Sequence, residues 1–104
     1  MFDGEFYRQV LPDRVGQQCQ GRKDVVPVVL LHLNNGQVLD LCHIAHTDKE
    51  WFSVLYFRDI ETCEDMDAAI MPYELVSFIT ISTAEASKRK LGFALNVGKQ
   101  LETQ

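Results

Sequence analysis

The residues best equipped for chemistry are Cys42, His43 and His46, with His32 and Cys63 as further donors. Thiolates and imidazoles are zinc ligands, but a tetrahedral site needs four donors, or three and a water. On an extended strand Cys42 and His46 share one face while His43 points to the other. Three ligands then meet only across a bulge, and the expected state is a buried thiol with histidines near its rim. Asp59, Glu61, Glu64, Asp65 and Asp67 form an acidic run that offers the oxygen donors Ca²⁺ prefers. It lacks the glycine-pivoted spacing of an EF-hand loop, and it reads as a solvated connection between strands. Lys88-Arg89-Lys90 is the one basic triplet. In the last turn of a helix these cations would offset the macrodipole, and repeated around an oligomer they would form a basic annulus. Trp51, Phe52, Tyr56 and Tyr73 have rings that can stack on bases. The first three sit at strand spacing that suits a core or an interface, so Tyr73, at a corner, is the best candidate. No Ser-His-Asp arrangement, phosphate loop, HExxH or CxxC is present. No enzymatic activity, cofactor or metal is expected.

The totals narrow the class. A chain of 104 residues makes one domain with a small core. Lys plus Arg number 10 against 15 Asp plus Glu, a formal charge of −5, which argues against a broad phosphate-binding face. Three cysteines without CxxC spacing, and no apolar stretch after a basic start, fit a reducing cytoplasm. No apolar run is long enough to span a membrane.

The elements that must position these residues centre on Val25–His46. Asn35-Gly36 suits a two-residue type I′ turn, and the arms, Val25–Asn34 and Gln37–His46, are rich in Val, Leu and Ile. That turn sets Leu33 opposite Val38, Leu31 opposite Asp40 and Val29 opposite Cys42. One face then carries Val29, Leu31, Leu33, Val38, Cys42 and Ile44, the other Val28, Leu30, Leu39 and Leu41 with His32 and His43. Both faces are mostly apolar. Trp51–Phe57 is a third strand, Ala68–Met71 a short fourth ended by Pro72, Tyr73–Leu75 a tight 3₁₀-like corner, and Val76–Ile81 a fifth strand. Upstream, Phe2, Phe6 and Val10 fall at helical spacing, with Asp3 as a cap and Pro12 as a stop. A strand through Phe6–Leu11 competes, and Gly16–Asp24 reads as a linker. Downstream, Ser82-Thr83-Ala84-Glu85 matches a capping box, predicting a helix over Thr83–Leu91 that Gly92 ends. The chain thus divides into a lead-in and linker (1–24), a barrel (25–81), and a C-terminal helix and tail (82–104). The fold class is mainly β, a five-stranded, strongly bent SH3-like barrel with short terminal helices.

Two stretches carry a family resemblance. Val29-Leu30-Leu31-His32-Leu33-Asn34-Asn35-Gly36 looks like the first half of the Sm1 motif, and Ile70-Met71-Pro72-Tyr73-Glu74-Leu75-Val76-Ser77-Phe78-Ile79 looks like Sm2. Residues 25–81 therefore resemble Sm-like proteins, including the bacterial Hfq type. The resemblance implies closed homo-oligomeric rings in which the fourth strand of one copy pairs with the fifth of the next. That would place Ala68, Ile70, Met71, Val76, Phe78 and Thr80 at the seam. At the corner where the family carries Arg-Gly or Lys-His this chain has Pro72-Tyr73. A non-catalytic ring that acts as an assembly or protein-binding module is accordingly the first expectation. An RNA-binding ring, using Tyr73, Lys88, Arg89 and Lys90, is the second. Surplus apolar surface points to association independently. Several side chains on both faces of the strands would otherwise stay wet, each worth roughly 1.5–3 kcal/mol when buried.

Overall fold

Asn34-Asn35-Gly36 turns the chain between strands β1 (Val25–Leu33) and β2 (Val38–Thr47). The computed structural model describes residues 1–59 and 61–94. The Gly36 amide donates to the Leu33 carbonyl at 3.0 Å, and the Leu33 amide to the Gln37 carbonyl at 2.9 Å. Only Gly36 of the loop has positive φ, at 92°. This is a three-residue loop with a glycine bulge rather than the expected two-residue turn. Its consequence is a one-residue slip, with Leu31 opposite Leu39 and Leu30 opposite Asp40. Because side chains alternate, the slip moves the first part of β2, up to Leu41, to the other face, while Ile44, beyond the first bulge, still packs against the core as expected. Leu39 and Leu41 join Val29, Leu31 and Leu33 in the core, and Val38 is exposed.

Strands β3 (Trp51–Phe57), β4 (Met66–Pro72) and β5 (Val76–Glu85) complete one antiparallel sheet in the order β4-β3-β2-β1-β5. The register between β2 and β3 shifts twice, between Leu41 and His43 and between Ile44 and His46. Such bulges bend a strand sharply. The first part of β2 therefore pairs with β1, and the rest leaves it to pair with β3. A 3₁₀ turn, Tyr73–Leu75, links β4 to β5 as expected. Asn34 ties this corner to the hairpin. Its amide and side-chain nitrogen donate to the carbonyls of Leu75 and Glu74, each at 2.8 Å, and the Ser77 hydroxyl donates to its side-chain oxygen.

Both predicted helical ends differ from expectation. The N-terminal segment is helical from residue 4 to residue 18, through a π turn (Phe6–Val10) and α1 (Leu11–Gln18). Pro12 does not stop it, because proline is tolerated in a first turn, and the preceding wide turn relieves the crowding it would cause. The buried stripe is Tyr7, Leu11 and Val15, one residue on from Phe2, Phe6 and Val10, and Val10 is exposed. The competing strand over Phe6–Leu11 is thereby overturned, and the linker shrinks to the residues after Gln18. At the other end there is no helix over Thr83–Leu91. β5 continues to Glu85, matching Val25 to Glu85, Val26 to Ala84 and Pro27 to Thr83. A ladder along β1 outweighs one capping box. The predicted tail beyond residue 94 lies outside the described residues.

Candidate functional site

The two ends of the sheet are the most conspicuous features of the surface. β4 pairs with β3 on one side and β5 with β1 on one side. Among the described residues, no strand pairs with the opposite edge of either. Such edges template pairing with another chain. Alternation along β4 turns Met66, Ala68, Ile70 and Pro72 outward, and Ile70 is 73% exposed. On β5, Phe78 and Thr80 face out beside His32 of β1. The His32 ring stacks on Phe78 with centroids 4.0 Å apart and planes 7° apart, and its Nε2 lies 3.1 Å from Thr80 Oγ1. Phe78 is 52% exposed, so each edge carries a large apolar side chain in water. Of the six residues assigned to a seam, Ala68, Ile70, Phe78 and Thr80 are exposed. Met71 and Val76 belong to the core and could contribute only backbone.

The residues assigned to RNA are differently placed. Tyr73 is buried, its ring stacked on Phe52 with centroids 5.0 Å apart, and its hydroxyl donates to the Asp48 carbonyl at 2.6 Å. Arg89 forms a bidentate pair with Asp40, at 2.8 and 2.6 Å, with both side chains almost buried. That hydrogen bonding raises the Arg89 pKa further, and the guanidinium lies 5.4 Å from the Phe57 ring centroid. Asp40 is the partner that sequence reasoning missed. Its signal was a single carboxylate in an aliphatic stretch, Val38-Leu39-Asp40-Leu41, which burial obliges to find a cation. Lys88 contacts Glu85 at 3.3 Å on the surface, and Lys90 is exposed. The four residues do not form one surface.

Arg89 also anchors a strap. After β5 the Ala86 amide donates to the Asp24 carbonyl, and Arg89 Nε to that of Leu91. The Phe93 amide donates to Pro27 at 2.9 Å and the Ala94 amide to Cys42 at 2.7 Å. The strap thus joins the parts of β1 and β2 that the bulges hold apart, and it buries Phe93 in the main core. Gly92 crosses so close that a Cβ there would overlap the Pro27 carbonyl oxygen. Beneath the strap Cys42, Phe57 and Cys63 form a second, smaller core. Burial and the neighbouring Cys63 push the Cys42 thiol up. His43 keeps its Nδ1 buried without a partner among the described residues, and burial lowers its pKa. His46 lies 3.6 Å from Asp48, at an open recess shared with Asp3, Glu5 and Arg8.

Among the described residues no three His, Cys, Asp or Glu side chains are grouped to hold a metal ion, and no helix is long and apolar enough to cross a membrane. In the acidic connection Arg58 pairs with Asp67 at 3.4 Å, and Asp59 accepts from the Glu61 amide. In comparisons with known proteins the chain matches no family model, no curated protein and no solved structure.

Proposed function

We propose that this chain is a cytoplasmic, non-catalytic, Sm-like module with an SH3-like barrel that assembles into a homo-oligomeric ring and serves as a scaffold for other proteins. The observation that carries this reading is the pair of open edges at opposite ends of one sheet, β4 and β5, each with an exposed apolar residue, Ile70 and Phe78. Different edges joining head to tail make a heterologous contact, which forms a closed ring when the rotation between copies closes. Backbone pairing would satisfy both edges, and Ile70 and Phe78 would leave water at the seam. The strong bend of β2 and the 3₁₀ corner also support a barrel-like module.

Light scattering coupled to size exclusion tests the assembly. A molar mass several times that of one chain, falling to a single chain when Ile70→Lys or Phe78→Lys is introduced, is the expected result. A wild-type chain that stays monomeric at high micromolar concentration rejects it. The RNA reading has less support, because Tyr73 is buried and Arg89 is engaged by Asp40. Anisotropy with labelled poly(U) and poly(A) at low salt checks it through Lys88 and Lys90.

A further inference from the structure

The second core brings two thiols to one place. Cys42 lies at the first bulge of β2, between residues that pair with Tyr56 and Leu55 of β3. Cys63 lies in the connection that follows β3, whose stem is closed by the Arg58 amide donating to Asp65. The two share a buried cluster with Phe57, the last residue of β3. Both also touch the strap. The Cys42 carbonyl accepts from the Ala94 amide, and Cys63 Sγ lies 3.7 Å from the Leu91 carbonyl oxygen. Cys63 has φ of 56°, the left-handed region, and is the non-glycine residue with positive φ among the described residues. A thiol residue held in an unfavoured backbone conformation beside a second thiol is an arrangement that packing alone does not require. A glycine would carry the same backbone conformation without that strain.

We infer that Cys42 and Cys63 form a reversible disulfide, a modification site that responds to peroxide and fastens the connection after β3 to β2 beneath the strap. The Cys63 thiolate attacks the peroxide O–O bond, giving a sulfenic acid and hydroxide. The Cys42 thiolate then attacks the Cys63 sulfur and displaces a second hydroxide. Two thiol protons neutralise the two hydroxides, so the net change is two thiols and one peroxide to one disulfide and two waters. Burial and the neighbouring Cys63 hold the Cys42 thiol above its ordinary pKa, which suits it to the resolving role. Oxidation also removes the S–H that faces the Leu91 carbonyl, leaving that oxygen to Arg89 Nε. The strap therefore loses one tie as the connection gains a covalent one. This holds whether or not the chain forms a ring.

The test uses the full chain and a Cys19→Ser variant, which removes the remaining, partly exposed thiol. Each is treated with hydrogen peroxide, denatured, alkylated and mapped by mass spectrometry without reduction. The expected result is a loss of two hydrogen atoms from the intact mass, a cross-linked peptide pair joining Cys42 to Cys63, and reversal by dithiothreitol. Alkylation of both residues should fall several-fold in the oxidised sample. Cys42→Ala and Cys63→Ala should each abolish the cross-link, and if either fails to fold, the peptide map of the Cys19→Ser chain decides alone. The inference is overturned if Cys42 and Cys63 remain fully alkylated after peroxide, end as sulfinic or sulfonic acids, or cross-link only between chains.

Discussion

Tyr7 and Tyr73 lie nearly parallel in the core, 5.8 Å apart, but their hydroxyls meet different surroundings. Tyr73 donates to the Asp48 carbonyl, whereas Tyr7 has no partner among the described residues, and burial drives its pKa well above the ordinary phenol value. A buried polar group left unmet costs about 1–3 kcal/mol, and a met one contributes about 1. Tyr7→Phe should therefore raise the urea midpoint, and Tyr73→Phe should lower it. Arg89→Ala strands the Asp40 carboxylate in a nearly dry site and should cost about 3 kcal/mol, measurable by the same unfolding curve. Arg89→Ala with Asp40→Asn should recover part of that loss. His43 gives a pH dependence with a definite sign. Burial holds its folded pKa below the ordinary 6.5, so the unfolded chain takes up a proton first as pH falls. Stability should decline from about pH 6.5 downward, and His43→Gln should remove that component from a pH series of thermal melts. The aliphatic core residues of β1 were legible from type alone. The partner of Arg89 was not, because a pair 49 positions apart is set by the sheet rather than by neighbours.

At the scale of elements, strand identity was readable and phase was not. β1, β2, β3, the 3₁₀ corner and the start of β5 sit close to where alternation and turn residues predict them. The hairpin offset was hidden because Asn-Gly serves both a two-residue turn and a three-residue loop, and only the longer-range fit of Leu39 and Leu41 into the core chooses between them. The N-terminal helix has the predicted period with its stripe displaced by one, since Tyr7 rather than Phe6 stacks on Phe52 and Tyr73. The C-terminal prediction fell to tertiary context, as the first half of β1 offered Ser82–Glu85 a ladder. Gly92 was read as a helix stop, but its structural role is a close crossing over Pro27. Gly92→Ala should thus destabilise by about 1–3 kcal/mol or more, as overpacking against rigid backbone does. Hydrogen exchange should show the loss concentrated in the amides of Phe93 and Ala94.

For the whole molecule, a mainly β domain of five strands was legible in the sequence, whereas the order β4-β3-β2-β1-β5 and the bend of β2 were not, because both depend on bulges that no local pattern marks. Of the residues assigned to a seam, Ile70 and Phe78 lie outside, whereas Met71 and Val76 turn inward because β4 and the corner feed the core. The proposed assembly predicts that Ile70→Lys leaves the monomer's unfolding curve within about 0.5 kcal/mol and that Phe78→Lys, which also breaks the stack on His32, lowers it by no more than about 1 kcal/mol, while each abolishes association in light scattering. A mixture of the two variants should restore a heterodimer, because each retains the edge the other lacks. The two borders of the sheet are unlike one another, which would give the proposed assembly a direction. A subunit altered on one border can still be recruited by the other, and it then halts growth at that point. A minority of such subunits would leave the population as open arcs, so one defective copy would spoil several sound ones.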